Sequence, residues 1–136
     1  MGYTHYWNND QKTIDPVKWD IAFDEAAQLV KKCEYIYDLE NVSVDQGEIW
    51  FDGECETFSI PKNPELVKFD FCKTNRYQYD DVVVGVLAIL AEAGLNVSCD
   101  GFKEDYQPGL DRISQVAGRK IANPIKDDAV DNDEAA

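Results

Sequence analysis

Apolar residues along this chain recur at two intervals, every second residue in some stretches and every third or fourth in others. From Gly2 to Asn8 rings and hydroxyls alternate in a run dense in β-formers. That pattern predicts a first strand with Tyr3, His5 and Trp7 on one face and Thr4 and Tyr6 on the other. Asn8-Asn9-Asp10 breaks it, and Asp15-Pro16 then reads as a helix start, a capping carboxylate followed by proline in the first turn. Trp19, Ala22, Phe23, Ala26, Leu29, Val30, Cys33 and Ile36 follow at helical spacing, so a long amphipathic helix is expected to about Tyr37.

The middle of the chain returns to β-periodicity. Val42 and Val44 suggest a short strand, and Glu48 to Ile60 holds Asp52-Gly53 between two β-rich runs. This dipeptide favours a two-residue type I′ hairpin, which would set Phe51 against Glu54 and Trp50 against Cys55. Pro61 and Pro64 close the run, and Lys68 to Lys73 alternates again with Phe69 and Phe71 pointing one way. From Asp80 to Gly94 the chain is apolar nearly all round. Its length, the Asp80 cap and Gly94 favour a buried central helix over a strand. Leu95–Cys99 reads as a short strand, and Leu110, Ile113 and Val116 predict a last helix beginning near Pro108 and ending at Gly118.

This order places hairpin-linked strands between long helices. It predicts an α+β fold with a mainly antiparallel sheet of four to six strands and two or three helices packed on one face. The expected domain is 1–121, with 122–136 an acidic, aperiodic and disordered tail. A chain of 136 residues with 44% hydrophobic residues suits one domain.

Charge narrows the partners. Thirteen basic residues stand against 27 acidic ones, a net charge of −14, which disfavours duplex DNA and anionic membranes. No run reaches the roughly 18 apolar residues of a membrane span, and the opening lacks the basic and apolar regions of an export signal, so a cytoplasmic location is expected. Cys33, Cys55, Cys72 and Cys99 contain no Cys-x-x-Cys pair, and His5 is the one imidazole. They read as reduced, buried thiols, with neither a metal nor a cofactor implied.

Three segments carry more chemistry than a core requires. Tyr3-Thr4-His5-Tyr6-Trp7 puts the single histidine among rings and hydroxyls, where it could exchange a proton, bind a ligand, or simply be a hydrogen-bonded histidine in an aromatic sheet face. Phe71 to Tyr79 sets Lys73, Thr74 and Arg76 beside tyrosines. This is the best anion cradle in so acidic a chain, although a solvated loop balancing Asp70, Asp80 and Asp81 accounts for it as well. Ser98-Cys99-Asp100-Gly101, with Glu104 and Asp105 following, could accept a ribose hydroxyl at Asp100 or hold a hard cation, but the EF-hand spacing is missing and an ordinary Asp-Gly turn accounts for it better.

The opening Gly2-Tyr-Thr-His-Tyr-Trp7, together with Glu56-Thr-Phe58, Phe71-Cys-Lys-Thr74, Tyr79-Asp80 and Ser98 to Gly101, resembles a family of small phage and prophage proteins. Its members begin Met-Gly-Tyr-Thr-His-Tyr-Trp and carry later Phe-Cys-Lys-Thr and Ser-Asp-Gly signatures. The resemblance covers residues 2–101 and implies a phage-encoded protein acting in the host bacterial cytoplasm, a setting of host takeover and counter-defence. It assigns no catalytic residue. The leading expectation is a non-enzymatic protein that captures a phosphorylated small molecule or nucleotide signal, using Tyr3, His5, Trp7, Lys73, Thr74, Arg76 and Asp100. The alternative is an acidic nucleic-acid mimic that inhibits a host protein, and a third is a small enzyme with His5 as base. The number of copies that assemble is left open.

Overall fold

A computed structural model describes residues 3–126. The order is β1 (Thr4–Asn8), α1 (Pro16–Ile36), β2 (Glu40–Ser43), β3 (Glu48–Asp52), β4 (Phe58–Pro61), a 3-10 turn (Pro64–Leu66), β5 (Asp70–Lys73), α2 (Asp80–Ala91), β6 (Asn96–Cys99) and α3 (Lys103–Ala117). The fold is α+β, and all of its strand pairs are antiparallel.

The strands form two sheets of three, ordered β5-β1-β6 and β2-β3-β4, where the sequence predicts one sheet. The chain's first strand causes the division. β1 takes the centre of the first sheet and pairs with two segments remote in sequence, setting His5 opposite both Cys72 and Cys99. The local β2-β3-β4 meander is left to pair with itself. Apolar rings join the two sheets: Trp7 lies 5.1 Å from Phe58, which stacks in turn on Phe51.

No two-residue hairpin forms at Asp52-Gly53. Phe51 pairs with Phe58 and Trp50 with Ser59, so the connection runs from Gly53 through Thr57. A type I′ turn needs positive φ at both central residues, and neither Asp52 nor Gly53 has it. Asp52 instead accepts hydrogen bonds from Asn41 Nδ2, at 2.8 Å, and from the Thr57 hydroxyl.

Helix α1 begins as expected, with the Asp15 carboxylate accepting from the backbone N–H groups of Val17 and Lys18. Val82 through Leu90 of α2 are all buried, and this helix packs against both α1 and α3. Helix α3 starts five residues before Pro108, its predicted start. Asp105 reaches back to accept the Phe102 N–H at 2.7 Å, and that first-turn bond, rather than the proline, sets the boundary. Past α3 the chain stays packed beyond the expected limit at 121. Ile121 and Ile125 are buried, and Asn123 donates to Lys103 O and Gln107 Oε1. Residues 127–136 of the expected acidic tail, like Met1 and Gly2 of the opening motif, lie outside the described residues.

Candidate functional site

The three chemistry-bearing segments converge, because β1 is the central strand between the other two. Tyr3 donates its hydroxyl to Cys99 Sγ at 3.3 Å, Thr4 pairs with Lys73, and Asp100 accepts from the Thr4 N–H and the Tyr6 hydroxyl. They do not, however, open into one pocket. Tyr3, His5 and Trp7 do share a face, but it is the buried one, and Trp7 is only 2% exposed. No ring face is left there for a ligand. Lys73 and Asp100 project from the opposite, exposed face.

A cleft of about 560 Å³ lies where the end of α1, the start of α2 and the first half of α3 meet. Of the seven residues singled out from sequence, only Arg76 lines it. Asn75 and Arg76 both have left-handed backbones, with φ of 55° and 61°. Two successive non-glycine residues in that region are uncommon, and such strain gathers at functional loops. The turn places the Arg76 guanidinium 4.0 Å from the centre of the Tyr3 ring, where it makes no ion pair among the described residues.

The floor of the cleft is the first turn of α2. Asp80 stands inside the helix rather than at its cap, a position held by Tyr79. The Asp80 carboxylate accepts from His5 Nε2 at 2.7 Å and from the Thr74 hydroxyl. Since a carboxylate only accepts, His5 carries its hydrogen on Nε2 toward it. His5 is fully buried between the edges of Tyr3 and Tyr106, and Nδ1 has no hydrogen-bond partner among the described residues. Its link to the cleft runs through Asp80.

Next to this lies a second acid. The nearly buried Asp81 accepts from Tyr37 at 2.9 Å and is gripped by Arg112 through Nε at 2.8 Å and Nη2 at 3.0 Å. Burial, followed by the Asp81 charge, pushes the Tyr37 phenol well above its ordinary pKa, so it remains a donor. Hydrogen bonding to Asp81 raises Arg112. Both acids stand in the first turn of α2, where the helix dipole favours negative charge.

The lining therefore carries two guanidinium groups, Arg76 and Arg112, against four carboxylates, Asp80, Asp81, Glu104 and Asp105, with half-exposed Tyr77 beside them. Sequence reasoning missed Asp80, Asp81, Tyr37 and Arg112 as parts of a site. The available signal was the Asp80-Asp81 pair opening a wholly apolar helix, since a cap uses only one acid.

Cys72, His5 and Cys99 form a row across three strands. Burial pushes the Cys72 thiol up to about 12 and raises Cys99 as well, so these are thiols at neutral pH. Among the described residues no group of three His, Cys, Asp or Glu side chains is placed to hold a metal ion, and no helix is long and apolar enough to cross a membrane. No family model, curated protein or solved structure matches this chain.

Proposed function

We propose that the protein binds a phosphorylated small molecule of nucleotide type in the cleft at the start of α2, with Arg76 as anchor. The observation that carries this reading is the Arg76 guanidinium, without an ion pair among the described residues and held by a strained turn over Tyr3 at a 560 Å³ cleft. A planar fork of donors suits a phosphoryl group. Arg112 is already engaged by Asp81 and lends field more than free donors.

Charge balance selects within that class. Four carboxylates against two cations repel a polyphosphate, whereas a phosphodiester carries a single negative charge and meets Arg76 alone. Asp80, Glu104 and Asp105 offer acceptors to ribose hydroxyls or exocyclic amines, and Tyr77 offers a ring. The phage resemblance of the opening strand and the Phe-Cys-Lys-Thr segment gives this binding a purpose in the bacterial cytoplasm, the sequestering of a host signal nucleotide in counter-defence.

Titration calorimetry with a cyclic phosphodiester nucleotide, a nucleoside triphosphate and a nucleoside tests the reading. The phosphodiester is expected to bind tightest. Arg76→Ala is expected to weaken it more than tenfold, since a hydrogen bond to a charged group is worth about 1.5–3 kcal/mol. Lys73→Ala, outside the cleft, is expected to leave binding unchanged. Absence of binding in the wild-type protein, or binding indifferent to Arg76→Ala, refutes the proposal.

A further inference from the structure

The solvent side of the β5-β1-β6 sheet presents an aromatic patch that the cleft does not use. Register places Phe71, Tyr6 and Ser98 in one row across the three strands. Phe71 and Phe69 are 50% and 57% exposed, and Phe69 stacks on Tyr6 with ring centres 6.2 Å apart. The next row is Lys73, Thr4 and Asp100, with Thr4 and Asp100 joined by backbone and side-chain hydrogen bonds. Asn8 and Asn96 pair in the row on the other side. Two exposed rings beside the half-buried Tyr6 on one sheet face exceed the scattered apolar residues of an ordinary surface.

The charge on this face decides what covers it. In a chain of net charge −14, the row across Thr4 ends in one cation and one anion, Lys73 and Asp100, on opposite sides of β1, and the Glu56 carboxylate accepts the Lys73 N–H at 2.8 Å at the sheet edge. A single available cation cannot hold a nucleic-acid strand against that overall charge. A highly basic protein would find little to complement here. A second copy of the chain would, because a two-fold axis running close to β1 in the plane of the interface exchanges the two edges. Lys73 of each copy then meets the partner's Asp100, Phe71 covers the partner's Ser98, and Tyr6 meets its own counterpart across the axis. Among the described residues Lys73 makes no ion pair and Asp100 accepts only from neutral donors, which leaves both charges for this exchange.

We propose that this face is the seat of a symmetric dimer, closed by the three rings and two reciprocal Lys73–Asp100 pairs. Symmetry makes it self-limiting, since an isologous contact uses the same patch on both copies. Three short strands offer less than the roughly 800 Å² per partner of a standard interface. The dimer is therefore a concentration-dependent equilibrium.

Analytical ultracentrifugation of the full chain into the high micromolar range should show twice the monomer mass at the upper end. Phe71→Glu should raise the dissociation constant more than tenfold, as should Lys73→Asp. The double variant Lys73→Asp with Asp100→Lys should recover dimerisation, because the swap preserves the reciprocal pairing. If Asp100→Lys unfolds by losing its bonds to Thr4 and Tyr6, Asp100→Asn keeps an acceptor there and should still weaken the dimer severalfold. A monomer at every concentration overturns the proposal, as does a dimer indifferent to Phe71→Glu or a folded charge swap that stays monomeric. A monomer that binds a labelled single-stranded oligonucleotide, with binding lost in Phe71→Ala, overturns it too and assigns the face to nucleic acid.

Discussion

A β-carbon built on Gly53 would stand 2.1 Å from Cδ2 of Tyr79. The ring is not free to swing aside, because it is fully buried and its hydroxyl donates to Glu56 O at 2.7 Å. Gly53→Ala is accordingly expected to behave as an overpacking substitution, costing about 1–3 kcal/mol. Its effect should shrink when Tyr79→Leu removes the ring. A double-mutant cycle by thermal denaturation measures that coupling, and additive effects would show that Gly53 is needed for another reason. The same residue shows where sequence reasoning stops. Asp-Gly between β-rich runs is a turn signal, but a glycine kept for close approach to the ring of Tyr79, remote along the chain, has no local mark. Asp80 was misplaced in the same way, since capping is a local rule and its bonds to His5 and Thr74 depend on β1 reaching the start of α2.

Among the elements, α1 and α2 were legible because their apolar spacing, the Asp15-Pro16 start and the Gly94 end are all written locally. What ties them to the end of α3 was not. Arg119, just past α3, donates to Glu25 on α1 at 2.7 Å and 2.9 Å and to Glu92 after α2 at 2.6 Å and 3.2 Å. The pair members lie 94 and 27 residues from Arg119, beyond any periodic signal. The side chains are about a third exposed, so solvent screening limits the clamp, and Arg119→Ala should cost about 1 kcal/mol or less. Hydrogen bonding to Arg119 holds the Glu25 carboxyl below its ordinary 4.5. A depressed carboxyl contributes stability above its unfolded value and loses it as the pH falls through the folded one. Thermal midpoints of wild type and Arg119→Ala should thus differ near neutrality and converge as the pH drops below 4.5. A constant difference across that range would remove Glu25 from the account.

For the molecule as a whole, the question is where the folded body ends. Charge and lack of period place that limit at 121, since from Ala122 on no apolar repeat advertises a packed element. Packing in the structure continues past it. Ile125 is 7% exposed, its N–H bonds to Asn123 Oδ1, and Asn123 ties the segment to the first turns of α3. A single isoleucine seated by one asparagine is too short a pattern for periodicity to reveal. Two truncations separate burial from charge. Ending the chain at Lys126 removes five acidic residues and no basic one, which relieves like-charge repulsion in a molecule at −14, so the thermal midpoint should hold or rise slightly. Ending it at Pro124 also removes Ile125. Burial of such a side chain is worth about 1.5–3 kcal/mol, and each lost kcal/mol lowers the midpoint of a domain this size by roughly 4 °C. The shorter chain should therefore melt several degrees below the longer one, by calorimetry under one buffer. Equal midpoints would mean that the contact of Ile125 contributes nothing and that the body does close at 121, while a fall already present on ending at Lys126 would place stabilising contacts in the acidic residues themselves.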